Sequence, residues 1–258
     1  MDAAEALQEF LRPQRALRNL KREDAVLEQA EVSRVMITPG TENEEEDIAI
    51  YRWGNGEQRV LLVHGWAGKA AQFFALISAL LEHGFSVVAF DAPAHGNSSG
   101  VFASGPAFAR AARMVDERHG PFYAVVAHSL GATAASIALA QGLRAQRAVL
   151  LAPAGFIEPL LETFIKLREL PDPLAGALRE RFAARYPAGI ISVPLLAKAF
   201  EIPALILHDP DDGELPFSHG ESIADSWPGA TLVPASGAGH WRILRDQSVI
   251  ERTVAFLA

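Results

Sequence analysis

The chain reads as an α/β fold, a mostly parallel eight-stranded sheet flanked by helices. Three observations predict it. Six apolar runs between residues 60 and 234 are nearly continuous in hydrophobic character, as strands covered on both faces require. Helical periodicity fills the intervals between those runs, and such alternation builds parallel sheets. The run at 123–127 passes into an alanine-rich helical pattern through one serine, Ser129, set among small residues. The 258 residues suit a single large domain spanning 1–258.

Taken in order, the N-terminal stretch places Leu7, Phe10, Leu11, Leu17 and Leu20 at roughly helical spacing, interrupted by Pro13. It reads as an amphipathic helix packed on the body. The segments 32–37 and 47–53 alternate apolar and polar residues like antiparallel strands, with the acidic turn GTENEEE between them. The buried strands follow at 60–63, 86–90, 123–127, 148–151, 204–208 and 230–234. In 71–82, Phe73, Phe74, Ile77, Leu80 and Leu81 form one stripe, and Gly84 offers a stop. Further helices are expected over 105–119, 130–142, 217–227 and 244–257.

One interval breaks the rhythm. Residues 152–203 separate the sixth and seventh strands, too far for a simple crossover. Apolar positions at Phe156, Leu160, Leu161, Phe164 and Ile165 have helical spacing, LPDPL makes a join, and a second stretch runs from Leu178 to Phe200.

Composition narrows the function. The formal net charge of −8 argues against nucleic acid or an anionic membrane as partner, because both need a basic face. With no cysteine, disulfides, thiolate catalysis and cysteine metal sites are impossible. The N-terminus carries acids early and lacks the apolar core of a signal peptide. No stretch reaches the length of a spanning helix. A cytoplasmic location is expected, with no metal and no cofactor, since no paired spacing such as H-x-x-x-H occurs.

The stretch VVAHSLGA carries the chemistry. A strand that reverses sharply into a helix is strained at the turn and tolerates only small neighbours, here Ala127 and Gly131. That geometry lifts the Ser129 hydroxyl out of the fold and sets the backbone N–H of Leu130 beside it. An oxyanion needs such preorganised donors. The competing reading is a helix N-cap serine.

The pentapeptide A-H-S-L-G resembles the G-x-S-x-G nucleophile elbow of the α/β-hydrolase family, with Ala127 adding one methyl to the pattern. Other segments arrive in the family's order. HGWAG (64–68) follows the third strand, and DAPAHGNSSG (91–100) is similar to the D-x-x-G-x-G-x-S loop, a segment read as loop architecture. ALILHDPDDGELPF follows the seventh strand and SGAGHWRIL the eighth.

The resemblance implies an α/β-hydrolase fold with a helical cap at 153–200 inserted after the sixth strand. It also implies Ser129 as nucleophile, Asp212 as acid and His240 as base. Asp209 and Asp211 compete for the acid role, since so acidic a turn permits a slip of register. The backbone N–H groups of Trp66 and Leu130 would form the oxyanion hole, and His128 would pack under the elbow. His83, His119 and His219 read as surface residues. Trp66, Trp241, Phe156, Ile157 and Leu161 are the expected pocket wall.

The expected function is therefore a serine hydrolase cleaving a small-molecule carboxylic ester, thioester or related acyl bond. The alternatives are a non-catalytic scaffold of the same fold, or a sister serine-triad activity such as C–C hydrolase, cofactor-free haloperoxidase or peptidase.

Overall fold

A computed structural model describes residues 1–14, 20–37 and 46–258. The sheet opens with β1 (Glu31–Ile37) and β2 (Glu46–Trp53), paired antiparallel with Val35 opposite Ile48. Residues 40–45 of the acidic turn lie outside the described residues. There follow β3 (Arg59–Val63), β4 (Ser86–Phe90), β5 (Phe122–His128), β6 (Ala145–Leu151), β7 (Ala204–His208) and β8 (Ala230–Pro234).

The strand order is β1-β2-β4-β3-β5-β6-β7-β8. The β1/β2 and β2/β4 pairings are antiparallel and the others parallel. The chain lays β4 outside β3 and then returns across it to β5, so the order reverses beside β3. Such a reversal opens a crevice beyond the carboxyl ends of the adjoining strands.

Helices α1 (Ala3–Phe10) and α2 (Lys21–Leu27) precede the sheet. Next come α3 (Phe74–Glu82), α4 (Gly105–His119) and α5 (Leu130–Ala140). Between β6 and β7 lie α6 (Glu158–Leu167), α7 (Asp172–Arg185) and two short helices, α8 (Ala188–Ile191) and α9 (Val193–Ala197). The chain closes with α10 (Ser218–Ser226) and α11 (Gln247–Leu257).

Side chains alternate across each strand, so every central strand feeds two cores. Leu61, Val63, Val125 and Ala127 join the core under α4, α5 and the α6–α9 segment, together with α1. Val60, Leu62, Ala124 and Val126 face the opposite layer, built from α3 and α11.

Local signals explain the boundaries. The Ser104 hydroxyl accepts from the Ala107 N–H at the start of α4, Pro106 sits in its first turn, and Arg118 and His119 complement its C-terminal dipole. The helix expected over 71–82 begins instead as a 3₁₀ turn, Ala70–Phe73, where the Ala70 N–H is committed to Asp91 Oδ1 at 2.8 Å.

At the N-terminus, Asp2 and Glu5 form a capping box for α1, which stops before Pro13. Leu7 and Leu11 are buried and Phe10 is half-buried, whereas Leu20 is exposed and Leu17 lies outside the described residues. The single amphipathic helix is thus α1 followed by a separate α2, which the apolar spacing did not predict. Among the described residues no helix is long and apolar enough to cross a membrane.

Candidate active site

Ser129 stands between the end of β5 and the start of α5 with φ 53° and ψ −123°, a backbone region that L side chains rarely adopt. Its surroundings hold it there. The Ser129 N–H donates to Leu151 O at 3.0 Å, and Ser129 O accepts from Ala132 N at 2.9 Å and Ala154 N at 3.1 Å.

Small neighbours are a steric requirement. A Cβ at Gly131 would lie 2.4 Å from Val63 O and 2.5 Å from His64 O, and one at Gly65 would lie 2.8 Å from Ser129 Cβ. The serine turn and the loop after β3 are therefore in direct contact. Gly131→Ala must push backbone away from backbone. A cost of about 1–3 kcal/mol corresponds to a melting temperature lower by roughly 2–12 °C, readable by thermal denaturation; an unchanged midpoint would contradict this packing.

The loop after β3 is a turn closed by Gly68 N–H donating to Gly65 O at 3.1 Å, which leaves the Trp66 N–H outside the turn's own bond. Ala67 has φ 54°, and its N–H donates to His95 Nε2 at 3.0 Å. The neighbouring histidines are fixed as neutral Nδ1–H tautomers. His64 donates through Nδ1 to Gly65 O at 2.7 Å and accepts the Ala92 N–H on Nε2 at 2.9 Å. Burial pushes the His64 imidazole down to about 4.

The segment 91–100 is loop architecture around Asp91. Its buried carboxylate accepts from Tyr51 OH, Ala70 N and Asn97 N at 2.8–2.9 Å. At the other end of the β3 loop, Lys69 pairs with Glu23 of α2 at 2.9 Å, both side chains buried. As the first residue of α5, Leu130 has an N–H with no acceptor within its own helix.

Ser129 Oγ lies 3.1 Å from His240 Nε2, and His240 Nδ1 lies 2.8 Å from Asp212 Oδ2. A carboxylate only accepts, so the ring proton sits on Nδ1 and Nε2 is left to accept from the serine hydroxyl. Asp212 also accepts the Glu214 and Leu215 N–H groups on Oδ1, at 2.8 and 3.0 Å. Burial works to raise its carboxyl, but hydrogen bonds from His208, His240 and those two amides outweigh it and hold the pKa well below the usual carboxylate range.

The competing carboxylates do other things. Asp209 accepts the Gly239 N–H at 2.6 Å and the Asp211 N–H at 3.0 Å, so it shapes the loop that carries His240. Asp211 is exposed. His128 is fully buried beneath the turn and donates from Nε2 to His240 O at 2.8 Å. An alpha/beta hydrolase family model matches residues 60–252, three-quarters of the chain. The chain belongs to the alpha/beta hydrolase family.

Solved structures with the same fold include an esterase from Pyrococcus furiosus, 20% identical over 95% of this chain and 98% of that one, with TM-score 0.71. An esterase from Exiguobacterium antarcticum is 18% identical over 86% and 98%, with TM-score 0.67. A bromoperoxidase from Bacillus anthracis is 16% identical over 87% and 99%, with TM-score 0.66. Identities this low speak for the fold alone. No curated protein sequence matches the chain.

In this alpha/beta hydrolase a cavity of about 560 Å³ opens on Ser129 and His240. Trp66, Leu130, Trp241 and Ile157 line it. Two of the expected wall residues do not. Leu161 turns into the core with Ile165, and the Phe156 ring packs edge-on against His219, 5.3 Å between centroids. Leu160 and Phe164 line the cavity in their place. The reason is helical phase: Ile157, Leu160 and Phe164 share one stripe of α6, while Leu161 and Ile165 share the next.

His219 is also buried, contrary to the surface reading, and accepts the Gly155 N–H at 3.2 Å. His83 is exposed and His119 half-buried.

Three contributors had no sequence signal. Glu214 hydrogen-bonds the Trp241 indole N–H and brings Oε2 to 3.7 Å from His240 Nε2. His208 places Nε2 3.1 Å from Leu215 O and 3.4 Å from Asp212 Oδ2. Residues Glu9 to Arg12 also reach the cavity. Among the described residues no group of three or more His, Asp or Glu could hold a metal ion.

Proposed function

We propose that the protein is a serine hydrolase that cleaves a carboxylic ester, thioester or related acyl bond through an acyl-enzyme on Ser129. The observation that carries the proposal is the unbroken chain Ser129 Oγ, His240 and Asp212, at 3.1 and 2.8 Å. A serine hydroxyl is a weak nucleophile until a base accepts its proton, and the base must be held in one tautomer.

In the first half-reaction Ser129 Oγ attacks the acyl carbon while its proton passes to His240 Nε2. The carbonyl oxygen becomes an oxyanion and accepts from the Trp66 and Leu130 N–H groups. Asp212 stabilises the imidazolium that forms. The tetrahedral intermediate then collapses, breaking the bond to the alcohol or thiol, which leaves with the proton from Nε2. In the second half-reaction water adds to the acyl carbon and gives its proton to Nε2. Ser129 leaves as the hydroxyl, taking that proton back, and a carboxylic acid is released. The mostly apolar cavity suits a small to medium apolar acyl group, with the α6–α9 segment as the cap over it.

The deciding experiment combines a fluorophosphonate probe with hydrolysis of p-nitrophenyl esters from two to twelve carbons. Wild-type protein is expected to be labelled and to turn over at least one ester, and Ser129→Ala to lose both. Labelling that persists in Ser129→Ala, or a wild-type protein with neither property, would sink the reading and favour a non-catalytic scaffold.

A further inference from the structure

The N-terminal helix is built into the cavity wall rather than merely onto the body. Phe10 stands edge-on to Phe164 of α6 and to Phe182 of α7, with ring centroids 5.5 and 5.9 Å apart. Glu9 pairs with Arg168, the residue that follows α6, at 2.5 Å. On its other side the segment is fastened to the loop before α4, because the Ala103 N–H donates to Leu11 O at 2.8 Å. Ala6, Leu7 and Leu11 are buried. Both Glu9 and Phe10 border the same cavity as Ser129 and His240.

The cavity is lined along α6. From Ile157 the lining passes through Leu160 to Phe164, where it meets Phe10, and it continues to Leu167 and Arg168. Phe10 is thus a wall residue beside Phe164.

We infer that Phe10 of the N-terminal helix forms part of the wall of the acyl site and restricts its room for long acyl chains. This deepens the acyl-transfer reading above and rests on it. The substrate class is an ester or thioester of an apolar acid. Longer acids must bend or expel the Phe10 ring from its two aromatic partners. The Glu9–Arg168 pair latches α1 to the end of α6.

The test is the ratio of kcat/KM for p-nitrophenyl dodecanoate to that for the acetate, measured in wild-type protein, Phe10→Ala, Phe10→Leu and Leu7→Ala. Leu7 lies on the same helix, buried against the body and away from the cavity. The expected result is a ratio that rises on the order of tenfold in Phe10→Ala, the usual scale for added methylenes in an apolar pocket. The gain is expected in KM for the longer esters, with a smaller rise in Phe10→Leu and wild-type ratios in Leu7→Ala.

A ratio unchanged in both Phe10 variants of an active enzyme overturns the Phe10 inference alone. So does an equal rise in Leu7→Ala, because general loosening of α1 would then explain it. Should Phe10→Ala not fold, Phe10→Leu decides by the same ratio. Wild-type protein that neither hydrolyses esters nor takes a fluorophosphonate overturns the acyl-transfer reading, and the Phe10 inference falls with it.

Discussion

Asp212→Asn is expected to lower kcat for ester hydrolysis about 10⁴-fold with the fold intact, the scale known for the equivalent change in a serine protease triad. The carboxylate holds the proton of His240 on Nδ1, 2.8 Å away, and balances the imidazolium that forms when Ser129 is deprotonated. An asparagine amide in the same place offers N–H as readily as oxygen. The ring then prefers the tautomer with its proton on Nε2, where it blocks the serine. The two Oδ1 contacts to Glu214 and Leu215 N–H can survive in the amide, so the turn itself is retained.

The neighbouring carboxylates provide internal controls. Asp209→Asn disturbs the bond to Gly239 N–H, one residue before His240, and is expected to cost only a small fraction of the Asp212 effect. Asp211→Asn changes an exposed turn and leaves kcat at the wild-type value. Steady-state kinetics on the three variants at pH 8 checks the assignment. A larger loss at Asp209 or Asp211 than at Asp212 would move the acid to that position.

The second large effect is loss of stability in mild acid. His64 and His128 are fully buried, and burial lowers their imidazoles from 6.5 to about 4 and about 3; the nearby His240 adds to the effect on His128. Both folded-state pKa values are depressed, so the native state holds neutral rings while the unfolded chain takes up protons from about pH 6.5 downward. The stability they contribute is complete above 6.5 and declines as the pH falls towards 4.

A tenfold difference in proton affinity between the folded and unfolded chain is worth about 1.4 kcal/mol. By pH 4.5 the two rings together cost about 5 kcal/mol, against a total of roughly 5–15 kcal/mol for a domain. Asp91 works in the opposite sense, since its burial raises the carboxyl, and its protonation in the fold offsets part of this loss as the pH falls. Thermal melts between pH 8 and 4.5 are expected to show a fall on the order of 10 °C. A midpoint flat across that range would contradict the buried neutral pair.

The architecture was legible where sequence pattern and burial share a cause. Strands covered on both faces must be apolar throughout, so β3 to β7 stand out as runs, whereas β8, expected to be buried, lies at the sheet edge and is half-buried to exposed because only one neighbouring strand covers it. The α4 boundaries follow from Ser104, Pro106 and the basic last turn, each a local signal. Ser129, Asp212 and His240 could be named because each lies in a segment that resembles the family's and follows a recognisable strand, and His240 sits within hydrogen-bonding distance of each of the other two.

What stayed hidden depended on contacts between distant segments. Apolar spacing in α6 marks Leu160, Leu161, Phe164 and Ile165 equally, and only the packing of α6 decides which stripe meets the cavity. The burial of His219 comes from the loop after β6, 64 residues earlier in the chain, through Gly155 N–H. Nothing local in the N-terminal stretch indicates that Phe10 would rest between rings at positions 164 and 182.

Ser129 has one further consequence, for any attempt to harden this protein. With φ 53° it occupies backbone territory that glycine enters freely and serine enters at a cost of about 1–3 kcal/mol. A search guided by melting temperature alone would therefore favour glycine at the position the proposed chemistry can least spare. Robustness and reactivity pull against each other at this residue. A library screened for heat resistance must keep Ser129 fixed or select for turnover at the same time.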